Sequence, residues 1–353
     1  MGRLVIQKFG GSVLVDEQAF VSAAQHVART IDEGSRVVAV VSALAGKTDG
    51  LLNSAKRMQE NPDPETMDLL LATGELQSVA LMTLALAQLN IQAQALNPWQ
   101  VGVHTDGSHG DARITRINPL TLRTKLATHP AVIVPGFLGR REDFRITTLG
   151  RGGSDLSAVA LAVALEAEAC EFFKDVPGYF SADPKCVRNV LHRPFVTGAE
   201  AFELSRFGCR FLQDRAIAWA VESRCHVRLR ALGEDSRATV LCDKPPEGHP
   251  GIVAMTHCKA PAANQGENPE PEKSLISLVG CSPGRNPDPL EAAISKRLGD
   301  LEIESSRISR SENRITFAVR SQDLQPAQQA VHDLCITPHA DDSTRVRRRL
   351  REA

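Results

Sequence analysis

Aromatic residues make up only 4% of this 353-residue chain, too few for a base-stacking surface. Charge of one sign is also missing. Lys plus Arg number 41 against 42 Asp plus Glu, and the net charge of −1 leaves no whole-chain footprint for a polyanion. No apolar run approaches the ~20 residues that span a bilayer. The opening MGRLVIQKFGG enters strand-like sequence without the apolar core of a signal peptide. The eight cysteines form no CxxC pair and, with the histidines, no zinc-ligand spacing. These absences predict a cytoplasmic protein with reduced thiols, no nucleic-acid partner, no membrane segment and no protein metal site.

What remains is an ordinary globular composition, 42% hydrophobic, in a chain long enough for about two domains. Apolar runs at 4–9, 37–43, 131–137, 170–176 and 226–232 read as strands. Helical periodicity occupies 17–33, 65–90, 155–168 and 199–222. Strands apolar on both faces, separated by helices, predict an α/β fold: an αβα sandwich around a mostly parallel sheet. From 243 to 273 proline and polar residues predict a linker, with one possible strand at 251–257. Residues 274–337 then read as strand, helix, two strands and helix, a small α+β module whose fourth strand has no evident sequence. A basic tail, 338–353, reads as a frayed terminus.

Two glycine loops stand ahead of helices. KFGGS (8–12) follows the first strand, and TTLGRGGSD (147–155) precedes a run of small helix formers. Glycine before a helix aims unpaired N–H groups at an anion; the structural alternative is a tight turn with Ser154 or Asp155 as N-cap. Neither loop matches the GxxxxGK[ST] or GxGxxG patterns, so a P-loop or dinucleotide site is not indicated. Lys8 sits where it could neutralise charge on a transferring phosphoryl group.

The blocks VIQKFGGS, VVSALAGKTDGLL, TMDLLLATGEL, WQVGVHTDGSHGDARI, ITTLGRGGSDLSAVALAVAL and DVPGYFSADPK occur in this order. Together they resemble the aspartate kinases of the amino-acid-kinase family, through about residue 242. The module at 274–337 resembles the last of that family's two ACT domains, and the first is largely missing. The resemblance implies an amino-acid-kinase domain at 1–242, a single ACT-like domain at 274–337, and transfer of the γ-phosphoryl of ATP to the side-chain carboxylate of L-aspartate. It also implies Mg²⁺ carried by the ATP phosphates, and a homodimer through the ACT-like domain that lysine and threonine inhibit weakly or not at all. An acceptor carboxylate is already ionised at neutral pH, so the lack of an evident catalytic base is consistent with this chemistry. A kinase of the same fold with a different small amino-acid acceptor, and a catalytically weak sensor homologue, are the alternatives.

By position, the resemblance implies that Lys8 stabilises the transferring phosphoryl and Asp155 orients Lys8. Gly10, Gly11, Ser12, Gly152 and Gly153 then approach the phosphates. Arg151 clamps the acceptor's α-carboxylate, Glu75 pairs with its ammonium, and Ser42, Thr48 and Ser154 help orient it. Lys174, Asp175, Phe180, Asp183, Lys185 and Arg210 fall to the nucleotide. The chain departs from the family pattern at several places. Val13 replaces a hydroxyl residue, Lys174 replaces another, PGYF and Lys185 replace DGVY and an arginine, and Arg210 replaces a lysine.

Overall fold

The apolar runs become strands because both of their faces are covered. In the computed structural model, which describes residues 2–209, 211–260, 272–280 and 288–336, Leu4–Phe9 lies near the middle of a sheet. Its order is Glu234–Cys242, Val227–Ala231, Ala169–Lys174, Leu4–Phe9, Arg36–Val41, Ala131–Pro135, Ala93–Ala95. Neighbours are parallel except Glu234–Cys242, which runs antiparallel to Val227–Ala231. Alternation divides the central strand between two helical layers. Phe9 stacks on Phe173 at 4.9 Å and joins a core with Phe20, Val27, Met82 and Leu86 from the helices Glu17–Asp32 and Pro64–Gln88. Lys8, one residue away, projects from the other face, where the helix Gly153–Leu165 lies. The expected αβα sandwich with a mostly parallel sheet is what forms.

Helix starts follow local chemistry. Asp16 caps Glu17–Asp32 by accepting from Ala19 N at 2.8 Å, and Asp63 does the same for Thr66 N ahead of Pro64. Pro64–Gln88 has 25 residues, and by length and composition alone it could cross a membrane. It packs instead against Glu17–Asp32 within the unit and buries two carboxylates, Asp68 and Glu75. Short strands that the apolar pattern did not indicate, Ile114–Ile117, Val103–Thr105, Leu138–Arg140 and Ile146–Thr148, form a second sheet in that order.

The chain divides into two compact units: Met1–Gly178 with Leu212–Asp243, and Tyr179–Phe211 with Lys244–Ala353. Tyr179–Phe211, expected within the first domain, thus groups with the C-terminal residues. The helix expected over 199–222 is two helices, Gly198–Arg206 and Asp214–Glu222. A capping box between Thr197 and Glu200 starts the first. It ends ahead of Gly208, whose φ of +121° suits only glycine.

In the second unit an antiparallel sheet runs Ala254–Lys259, Lys273–Val279, Arg314–Arg320, Ser305–Ser311. The strand expected at 251–257 is therefore the missing fourth strand, shifted to 254–259. The helices Asp288–Gly299 and Leu324–Cys335 cover one face through Ile294, Leu298, Ala327 and Val331. On Gly198–Arg206, Glu203 accepts from the nearly buried Arg314 at 2.9 Å, and Arg314 also lies 3.7 Å from the centre of the Phe207 ring. The tail 338–353, Arg210 and part of the expected linker lie outside the described residues.

Candidate active site

Lys8 stands near the end of its strand, Ser42 directly follows Arg36–Val41, and Lys174 closes Ala169–Lys174. Parallel sheets bind ligands beyond these carboxyl ends. There, within the first unit, lies a cavity of about 980 Å³.

One end is built on one carboxylate. Lys8 Nζ lies 2.5 Å from Asp155 Oδ1, and Lys174 Nζ lies 3.5 Å from Asp155 Oδ2. All three side chains are nearly buried. Burial pushes the Asp155 carboxyl up, but the Lys8 and Lys174 ammonium groups outweigh it and hold the pKa below the ordinary value. Burial lowers that of Lys174, with Asp155 opposing. Two ammonium groups thus share one buried carboxylate at this end of the cavity.

The glycines allow the approach. A Cβ on Gly10 would stand 3.0 Å from Lys8 Nζ, and Gly11, Ser12, Gly152 and Gly153 line the cavity. Gly152, with φ +76°, is the N-cap of Gly153–Leu165, and a Cβ there would strike Gln213. Ser154 and Asp155 therefore lie inside the first turn, and neither is the cap. Asp155 turns to the lysines because two buried ammonium groups need a counter-charge more than one helix terminus does. Gly152→Ala is expected to destabilise the protein by about 1–3 kcal/mol, read as a lowered Tm. Val13 has left the site altogether: it is buried with Phe9, Leu14 and Phe20.

Glu75, Arg151, Ser42, Thr48 and Ser154 line the same cavity. Glu75 is 3% exposed, and its Oε2 has no hydrogen-bond partner. Burial pushes its pKa up to about 8 against the pull of the Ala43 N–H and the Lys8 ammonium. Arg151 is exposed to the cavity and forms no ion pair among the described residues. Thr48 is not a turn cap, because Gly46 caps Lys47–Met58 without a side-chain bond.

The nucleotide candidates scatter more widely. Asp175 is exposed and does not line the cavity. Phe180, Asp183 and Lys185 belong to the second unit. There Asp183 accepts from Lys185 N at 2.9 Å, a local turn bond, and Phe180 sets its ring edge against His192. Arg210 lies outside the described residues. Among the cavity residues that escaped the sequence reading are Asp68, His109 and Thr148, with Asp68 bonding to the other two. For Asp68 a signal existed, since positions 68, 71 and 75 lie on one helical face.

A pocket with two lysines, set beside a carboxyl and a guanidinium that forms no ion pair among the described residues, can bring a polyphosphate to a zwitterion. Comparison with known proteins agrees in kind. The family described as "Amino acid kinase family" matches residues 3–231, and the chain belongs to that family. It is 33% identical over 321 residues to aspartokinase 2 of Bacillus subtilis, covering 91% of this chain and 76% of that protein. It is 39% identical over 333 residues to the aspartokinase of Mycobacterium tuberculosis, covering 92% and 76%. The solved structure of E. coli aspartokinase III in complex with aspartate and ADP superposes with a TM-score of 0.77 at 21% identity. It covers 94% of this chain and 99% of that one, a likeness of fold.

Proposed function

We propose that the chain is an aspartate kinase, moving the γ-phosphoryl of ATP onto the side-chain carboxylate of L-aspartate to give 4-phospho-L-aspartate. The observation that carries this reading is the pairing, in one cavity, of the Lys8–Asp155–Lys174 trio with Glu75 and an Arg151 that forms no ion pair among the described residues. Its relatives named aspartokinase support the same acceptor.

In this reading the acceptor's α-carboxylate sits in the Arg151 fork and its ammonium group on Glu75. Its side-chain carboxylate, already an anion, then points to the trio and attacks the γ-phosphorus. The bond from that phosphorus to the bridging oxygen of ADP breaks as the new one forms, and no proton has to move. Lys8 and Lys174 offset the charge that would keep two anions apart, and Asp155 keeps both ammonium groups in place. Gly10, Gly11, Ser12, Gly152 and Gly153 leave room for the phosphates. Ser42, Thr48 and Ser154 orient the acceptor, while Asp175, Phe180, Asp183, Lys185 and Arg210 serve the nucleotide.

Three of the cavity carboxyls are already engaged or neutral. Asp155 is taken by lysines, Asp68 by three donors, and Glu75 is held protonated at neutral pH. Among the described residues no three or more His, Cys, Asp or Glu side chains gather as a group that could hold an ion. In this reading Mg²⁺ is carried by the nucleotide's phosphate oxygens. A cytoplasmic homodimer joined through the second, ACT-like unit completes it.

The test is ATP- and Mg²⁺-dependent acyl-phosphate formation with L-aspartate, trapped as the hydroxamate. Arg151→Ala is expected to raise KM for aspartate by about 30- to 100-fold, as for loss of a charge-assisted pair. Product with another amino acid but none with aspartate would change the acceptor. No ATP binding would leave a sensor.

A further inference from the structure

We infer that Asp68 is the positioning residue of the acceptor site: through one buried carboxylate it sets Arg151 at working distance from Glu75. This deepens the aspartate kinase reading and rests on it.

Asp68 is 1% exposed, in the second turn of Pro64–Gln88. Taking a carboxylate out of water costs several kcal/mol unless donors replace the lost hydration. Three do. Thr148 donates its hydroxyl to Oδ1 at 2.6 Å, His109 Nδ1 lies 2.8 Å from Oδ2, and the Gly110 N–H reaches both oxygens at 3.2 Å. These donors come from two segments, and Asp68 is the buried polar tie that both share on this helix; Ile146 also packs there against Ala72.

Both segments lead to the arginine loop. Thr148 ends the strand Ile146–Thr148, three residues before Arg151. Asp111, directly after Gly110, lies so close to Gly150 that a Cβ on the glycine would strike its carboxylate. Arg215 ties the same place, donating to Asp111 at 2.8 Å and to the Leu149 carbonyl at 3.0 Å. On the helix side, Glu75 follows Asp68 by seven residues, two turns along the same face, and Leu71 between them also lines the cavity. Asp68 thus joins the carboxyl proposed for the ammonium to the loop that holds the guanidinium proposed for the α-carboxylate. It reaches the acceptor through them.

A residue that spaces two ground-state contacts acts on acceptor affinity, because both contacts persist unchanged into the transition state. Asp68→Asn keeps the shape but turns an amide NH₂ toward one of the three donors. It is expected to raise KM for aspartate about tenfold, with KM for ATP within about twofold and kcat within about threefold. Thr148→Val is expected to raise the aspartate KM about fourfold. The double variant is expected to match Asp68→Asn alone, since the two act through one bond. Hydrogen–deuterium exchange provides a readout independent of turnover: both variants are expected to speed exchange over residues 149–153 and leave 8–12 unchanged.

Parallel rises in both KM values, additive variants, or unchanged exchange over 149–153 would overturn the inference and leave Asp68 a packing residue. If the unaltered enzyme makes no acyl phosphate from aspartate, the function reading fails. The exchange comparison still decides whether Asp68 holds the arginine loop.

Discussion

Lys8→Met is expected to lower kcat about a thousandfold, with KM for aspartate little changed. The substitution keeps most of the volume in an unbranched side chain and removes the ammonium group, charge and donors together, nearest Asp155. A thousandfold corresponds to about 4 kcal/mol, the scale of one preorganised electrostatic contact at a reacting centre. The effect belongs in kcat because charge on the transferring group is redistributed in the transition state, while the acceptor's contacts lie at Glu75 and Arg151. Folding is a separate matter. Asp155 also has Lys174 at 3.5 Å, so the substitution does not leave the carboxylate alone, and a Tm measurement separates a misfolded protein from a disarmed one. The trio loses one ammonium group, and ATP is expected to bind more weakly as well. A loss of kcat smaller than tenfold would assign the phosphoryl charge to Lys174 instead.

The second large effect is a pH dependence in acceptor affinity. Glu75 has a pKa of about 8, raised chiefly by burial, so at pH 7 most of the free enzyme holds it neutral. Pairing with an ammonium group requires the carboxylate. Affinity for aspartate is therefore expected to rise about tenfold per pH unit up to pH 8 and then level off. Isothermal titration in buffers of different ionisation enthalpy is expected to show about one proton released per aspartate bound near pH 7. Glu75→Gln is expected to abolish both the slope and the proton release, and to raise KM for aspartate at least a hundredfold at pH 8.5. The same substitution is expected to stabilise the fold. A folded-state pKa above the ordinary 4.5 means that Glu75's favourable contribution is complete below about 4.5 and is lost as pH rises through about 8. Glutamine carries no such penalty, so Tm at pH 8 is expected to rise by several degrees. A flat pH profile for the native enzyme would place the ammonium group elsewhere.

The sequence by itself determined the αβα architecture. Runs such as VVAVV at 37–41 are apolar on both faces, and only a sheet covered twice can bury them. It also marked two segments, KFGG and LGRGG, whose glycines cost backbone entropy that close approach repays, and Gly11, Gly152 and Gly153 from them line the cavity. The resemblance carried by its ordered motifs brought Lys8, Glu75, Arg151 and Asp155 together before any coordinates did.

The tertiary structure decided the rest, for reasons of distance along the chain. Asp68, His109 and Thr148 lie 41 and 80 residues apart, and no local pattern connects a helix, a loop and a strand across such spans. Val103–Thr105 and its neighbours have three or four residues each, too few for a period of two to declare itself. Whether Asp155 caps a helix or pairs with lysines depended on which buried charges stood nearby, and only folding brought Lys8 and Lys174 to it. The same holds for Glu75: its ordinary carboxyl became one that titrates near 8 because its surroundings exclude water, which is a property of packing rather than of residue order.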